Sequence, residues 1–171
     1  RLRKRANSSF EISSLMAVDV KVDVNSIELT NFLKRISRKQ KAVIKKGLNR
    51  VSNMAILMIT KRTQSGQKPD GGRFIPYTKK SAQLRRKKGR QTAFVDLTDT
   101  GQMFRSLDFR QKGFKNTLLF TNKEREQIAF RHDTLGVGKR KTRRPFFAIG
   151  NREEDKIKDE FASFYFKEMR L

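Results

Sequence analysis

The chain has no cysteine, no tryptophan, one histidine and three prolines among its 171 residues. Without cysteine there is no disulfide, no thiolate metal site and no cysteine nucleophile. That absence also fits assembly in a cytosolic setting. A single histidine, His132, leaves no His cluster of the kind that zinc sites and paired acid–base groups need. No run of 18 apolar residues occurs, so no membrane-spanning helix is expected. The longest apolar patch, Met54–Ile59, has the length of a buried helix segment. Acids are scarce: 17 Asp and Glu stand against 41 Lys and Arg, a net charge of +24. Such a chain repels itself when alone, and its charge implies a polyanion or an acidic protein surface as partner.

What is abundant, besides positive charge, is phenylalanine. Fourteen Phe in a chain that is 36% hydrophobic point to a packed core rather than disorder. The length suits one domain with a modest core. Residues 1–14 read as a flexible basic arm and residues 15–171 as a single α+β domain. Val18-Asp19-Val20-Lys21-Val22-Asp23-Val24 alternates valine with charge, the period-two pattern of a half-buried strand.

A long amphipathic helix follows. Asn25-Ser26 supplies a cap; Leu29, Phe32, Leu33 and Ile36, then Ile44, Leu48, Val51, Ala55 and Met58 keep helical spacing. The pattern fits one helix, or two broken near Ser37–Gln40, ending before Ser65-Gly66. Its polar face carries Lys34, Arg35, Arg38, Lys39, Lys41, Lys45, Lys46 and Arg50, with no acid between Glu28 and Asp70. Lys41–Lys45 and Lys46–Arg50 repel at i,i+4, a local penalty that an outside anion would offset.

Beyond it, Gln67–Thr78 is a loop punctuated by Pro69 and Gly71-Gly72, and Lys79–Lys88 a short basic helix or arm ending at Gly89. Thr100 is placed to cap a short helix through Met103, Phe104 and Leu107. Ser106–Gln111 and Asn116–Thr121 read as strands joined around Gly113; Gln127–Arg131 and Phe146–Ile149 read as further short strands. Gly136–Arg144 reads as a flexible basic loop. Asn151 with Glu154 forms an Asn-x-x-Glu capping box, opening a C-terminal helix that buries Ile157, Phe161, Phe164 or Tyr165, and Met169. The expected architecture is a mainly antiparallel sheet packed against the long helix and the C-terminal helix. Its core contains Phe161, Ile157, Leu48, Val51 and Phe146.

Little of this carries chemistry. His132-Asp133 lacks a nucleophile motif, so a structural or solvent-facing His is the better reading. Gly136-Val137-Gly138-Lys139-Arg140 misses the phosphate-loop pattern at two positions. Asp96, Asp99 and Asp108 match no calcium loop; Asp99 and Asp70 read as turn residues. No catalytic, cofactor-binding or metal-binding residue is assigned. Three basic clusters remain: Lys34–Arg50, Lys79–Arg90 with Arg85, Arg86, Lys87 and Lys88, and Lys139, Arg140, Lys141, Arg143 and Arg144. Such clusters contact phosphates without reading sequence. Phe74, Tyr77 and Phe94 beside the second cluster either stack on bases or anchor loops to the core, and anchoring is preferred.

Five segments in order carry a resemblance. They are Pro69-Asp70-Gly71 with Phe74 and Pro76-Tyr77-Thr78; Leu97-Thr98-Asp99-Thr100-Gly101-Gln102-Met103; Ala129–Gly136 with His132; Arg144-Pro145-Phe146 within Thr142–Gly150; and the acidic helix start Glu153–Asp155. This pattern resembles the tail-completion, or virion-morphogenesis, proteins of tailed bacteriophages. The chain departs from them in Thr142, where they have Pro, and in one extra residue between His132 and Gly136. The resemblance implies a non-enzymatic virion protein, assembled in the host cytoplasm. It would form a closed ring, of six subunits by analogy, at the head–tail junction. It implies neighbouring neck, connector and tail proteins as partners, with sequence-independent DNA contact possible through the basic faces. The high charge and basic arm also fit an RNA-binding protein of a ribosome-like particle. A phosphoryl-transfer enzyme is the weakest reading, for want of a carboxylate or His cluster.

Overall fold

A computed structural model describes residues 27–170, with the side chains of residues 27–30, 32 and 33 excepted. The strand expected at Val18–Val24 and the arm before it lie outside the described residues. The fold is α+β: a long helix, a C-terminal helix and a two-stranded antiparallel sheet.

Helix α1 (Ile27–Gln64) is unbroken through Ser37–Gln40. Its buried positions recur every fourth residue: Val43, Gly47, Val51, Ala55, Ile59 and Thr63. Each four-residue step overshoots a full turn by about 40°. The buried line therefore winds around the helix. Its middle meets the C-terminal helix and its end meets the core. Helix α5 (Asn151–Met169) lies along α1. Gly47 permits the approach, because a Cβ there would sit 2.8 Å from the Phe161 ring. Arg50 pairs with Glu160 and Gln40 donates to the Tyr165 hydroxyl at 3.1 Å.

Strands β1 (Leu107–Lys112) and β2 (Lys115–Phe120) form the expected hairpin. Gly113 occupies its turn at φ +62°, a conformation that an L side chain resists. The hairpin packs on α1, where Gln111 donates to the Lys45 carbonyl at 3.3 Å and Asn116 to Ser52 Oγ at 2.9 Å. Leu107 on the inner face joins Ile59, Phe74, Val95, Met103, Phe104, Ala129 and Phe146 in the core. The core thus sits at the C-terminal end of α1, beneath the loops.

Several expected elements differ. Gln127–Arg131 is not a strand: α4 spans Lys123–Phe130 and runs on into a π-helical turn, Arg131–Leu135. The Asn122 side chain accepts from the Glu124 and Arg125 amides, and Glu124 and Glu126 favour the helix start electrostatically. Among the described residues, Phe146–Ile149 has no strand partner. Side chains satisfy its backbone instead: Asp133 Oδ1 accepts from the Phe146 and Phe147 amides at 2.8 and 2.9 Å. Arg62 donates to the Phe146 and Ala148 carbonyls at 2.6 and 2.8 Å. The short helix α3 (Gln102–Arg105) takes Gly101 as its cap residue, and Leu107 belongs to β1. The α5 cap is Gly150, one residue earlier than expected, with Glu153 accepting from its amide at 2.9 Å. Val51 and Phe146 are buried as expected, but Leu48, Ile157 and Phe161 are only half-buried. The reason is geometric: α5 lies outermost, and no other described element covers its far side.

Phe146 is 0% exposed, so Phe146→Ala is expected to destabilise the fold by about 3–5 kcal/mol, and half-buried Phe161→Ala by less than half as much. Equal losses on denaturant titration would mean that α5 is covered in solution. Arg62→Met strands the Glu153 carboxylate and two carbonyls; a loss of about 3 kcal/mol or more is expected on the same titration.

Candidate interface surface and its buried polar cluster

The first basic cluster lies on the exposed face of α1. Lys34, Arg35, Arg38, Lys45 and Lys46 are exposed, and so is Arg50, although it also pairs with Glu160 and lies 5.7 Å from the Phe164 ring centroid. The second cluster is α2 (Lys79–Lys87), capped by the Thr78 hydroxyl, which accepts from the Ser81 amide at 3.2 Å. Arg86, Lys87 and Lys88 face solvent. Arg85 does not. It donates twice to Asp96, at 2.9 and 3.2 Å, and also to the Thr98 and Gln91 carbonyls. In the third cluster Lys139, Arg140, Lys141 and Arg143 are exposed while Arg144 is buried. Arg85 is therefore engaged within the fold, and Arg144 is set back from the outer surface.

The 136–144 segment is a structured turn, not the slack loop expected. Val137 and Thr142 pair across it, each amide donating to the other's carbonyl at 3.1 Å. Gly136 sits at φ +83° with the Lys141 carbonyl 2.1 Å from where a Cβ would be, so only glycine fits.

The second and third clusters meet at Tyr77. The Arg85 guanidinium lies 4.6 Å from its ring centroid and that of Arg144 lies 6.0 Å from it. Both are within the range of cation–π attraction. The Tyr77 hydroxyl donates to Asp96 at 3.0 Å, and Asp96 also accepts from the Thr98 amide at 3.0 Å. Burial, then the charge of Asp96, raises the Tyr77 phenol to about 12 despite the opposing pull of Arg85. Burial lowers the Arg144 guanidinium, which stays charged. Burial and the neighbouring Arg144 charge push His132 below its ordinary value, so its imidazole is neutral at pH 7. His132 is neither solvent-facing nor engaged: its carbonyl accepts from the Arg144 amide at 2.7 Å, but Nδ1 is enclosed without a partner.

The other motif residues make turns. Asp70 accepts from the Gly72 amide at 2.8 Å and pairs with Lys68 at 3.0 Å, with Gly71 at φ +84°. Pro69 is half-buried and Pro76 exposed. Phe74 is buried in the core, which makes it an anchor and not a stacking platform; Phe94 remains partly exposed against Gly66. Thr100 is exposed, its carbonyl accepting from Arg105 at 2.9 Å; Gly101 caps α3 and Pro145 is exposed. Asp99 pairs with Arg90. Between the Pro69–Gly71 turn and the start of α5 lies an open cleft floored by Arg62 and Glu153. Sequence reading passed over Asp96 and Asp133 as functional positions. Their signal was an acid beside core residues, Val95-Asp96 and His132-Asp133.

Among the described residues no three His, Asp or Glu side chains gather as a metal site. No family model matches the chain, and neither does any curated protein or solved structure.

The Tyr77 shift has a testable consequence. The folded state favours the neutral phenol, so that stabilisation is complete below pH about 10. It is lost as pH rises towards about 12. The stability difference between wild type and Tyr77→Phe should therefore narrow or reverse over that window, by denaturant titration. A difference constant with pH would show that the hydroxyl is solvated.

Proposed function

We propose that the chain is a non-enzymatic structural subunit of a tailed-phage virion, forming a closed ring at the head–tail junction. One observation carries this reading. Segments that resemble phage tail-completion proteins, far apart in sequence, converge in space. Tyr77 from the first segment sits over Asp96, just before the second, and under Arg144 from the fourth. Phe74, Met103, Ala129 and Phe146 from four of the segments share one core. Spread loops that share one anchor present a fixed outer surface, as a ring subunit requires.

The surface itself supports assembly. Ile75 next to exposed Pro76 is 60% exposed, and Leu57 and Phe166 are 58% and 66% exposed. Apolar groups so placed are suited to a neighbour. The α1 face from Lys34 to Lys46 carries no acid and meets an anionic partner, either DNA in the lumen or an acidic neighbouring protein. Neck, connector and tail proteins are the neighbours this role entails. The virion is its location, after assembly in the host cytoplasm.

Negative-stain imaging and light scattering of the purified protein should show a discrete ring, of six subunits by analogy. The ring should survive nuclease treatment. A particle that forms only with RNA would overturn this in favour of the ribosome-like reading. Lys41, Lys45 and Lys46 changed together to Glu spare the Arg50–Glu160 pair. That variant should lose salt-sensitive DNA retention or docking to an acidic neighbour. Unchanged retention and unchanged particle assembly would mean that the face is merely solvated.

A further inference from the structure

Arg144 is the one buried residue of the third basic cluster, 8% exposed, and it has no counter-ion among the described residues. Its Nε is enclosed without a hydrogen-bond partner. Beside it the His132 Nδ1 is enclosed and unpartnered too. The nearby acids are already engaged. Asp96 serves Arg85, Tyr77 and Thr98, and Asp133 Oδ1 serves two backbone amides. An enclosed guanidinium cannot relieve its charge by losing a proton. Tyr77 offers it a π face, which offsets only part of the desolvation. A planar anion would satisfy it fully, because two guanidinium N–H groups match the two oxygens of a carboxylate.

We propose that Arg144 and His132 form a socket for a carboxylate, and that an acidic side chain of a second copy, from the Asp155–Asp159 edge of α5, fills it. This source rests on the ring reading, and it follows from charge complementarity. Glu153-Glu154-Asp155 is the chain's one run of three acids. Glu153 is held by Arg62, Glu154 by Lys158 and Glu160 by Arg50. Asp155 and Asp159, one turn apart, are exposed and form no ion pair with a described residue. Among the described residues there is thus a buried cation without an anion, and there are exposed anions without a cation. Head-to-tail contacts would join them.

The test uses the full chain and two variants. Arg144→Met keeps the volume and removes the charge. The dilute subunit should be as stable as wild type or more so, because an uncompensated buried cation has gone. Self-association, followed by sedimentation, should weaken by roughly 30-fold or more. Asp155→Asn with Asp159→Asn should weaken it similarly, and the combined variant no further, because both remove one contact. Acetate should raise the melting temperature of dilute wild type, leave Arg144→Met unmoved and compete with assembly. If acetate stabilises wild type but assembly of the variants is unchanged, the socket stands for a free carboxylate and the second-copy source is overturned. If wild type never assembles while acetate still acts, the ring reading and the second-copy source fail together and the socket survives. If acetate does nothing and Arg144→Met destabilises the dilute subunit, Arg144 is a packing residue and the socket is overturned.

Discussion

Arg62 is the tie on which the rest of the architecture depends. It leaves the last turns of α1 and reaches three places at once: the carbonyls of Phe146 and Ala148, and the carboxylate of Glu153. Without a strand neighbour among the described residues, this segment would otherwise bury polar backbone at several kcal/mol of cost. Arg62 and Asp133 together stand in for the missing ladder, one satisfying carbonyls and the other amides. Because that segment delivers Phe146 into the core and Arg144 onto Tyr77, both the core and the polar cluster follow from the same substitution of side chains for a sheet.

The second constraint is charge. A chain of net +24 cannot pair its cations internally, and most stay on the surface where water screens them. The few that enter the interior do so under specific cover. Arg62 has Glu153 and carbonyls; Arg85 has Asp96 and the Tyr77 ring. Among the described residues, Arg144 has the ring alone. It is less fully covered than Arg62 and Arg85 among the described residues.

Elements governed by local signals were legible in the sequence. The long helix followed from apolar spacing, α2 from its basic run and Gly89 stop, and the β1–β2 hairpin from strand-forming runs around Gly113. Where the signal was shared between two structures, the reading erred. Gln-Ile-Ala-Phe alternates like a strand, yet the Asn122 cap and two early glutamates make it helical. Phe146–Ile149 reads as strand because its residues favour extended backbone, but extended backbone becomes a strand only if another strand lies alongside. The α5 cap slipped by one residue, because Gly150 does the work without a side chain and leaves only Glu153 as a signal.

The sequence by itself determined the class of the fold, the course of α1 and the excess of positive charge. It also determined the absence of cysteine chemistry. Each of these is a property of composition or of contacts within a few residues. Only the tertiary structure decided which cations are surface and which are interior. Arg85, Arg86, Arg143 and Arg144 are identical as letters, and the two that turn inward are selected by Tyr77 and Asp96, 8 to 67 positions away. The physical reason is that the cost of burying a charge depends on what surrounds it, and those surroundings are assembled from loops that meet only when the chain has folded.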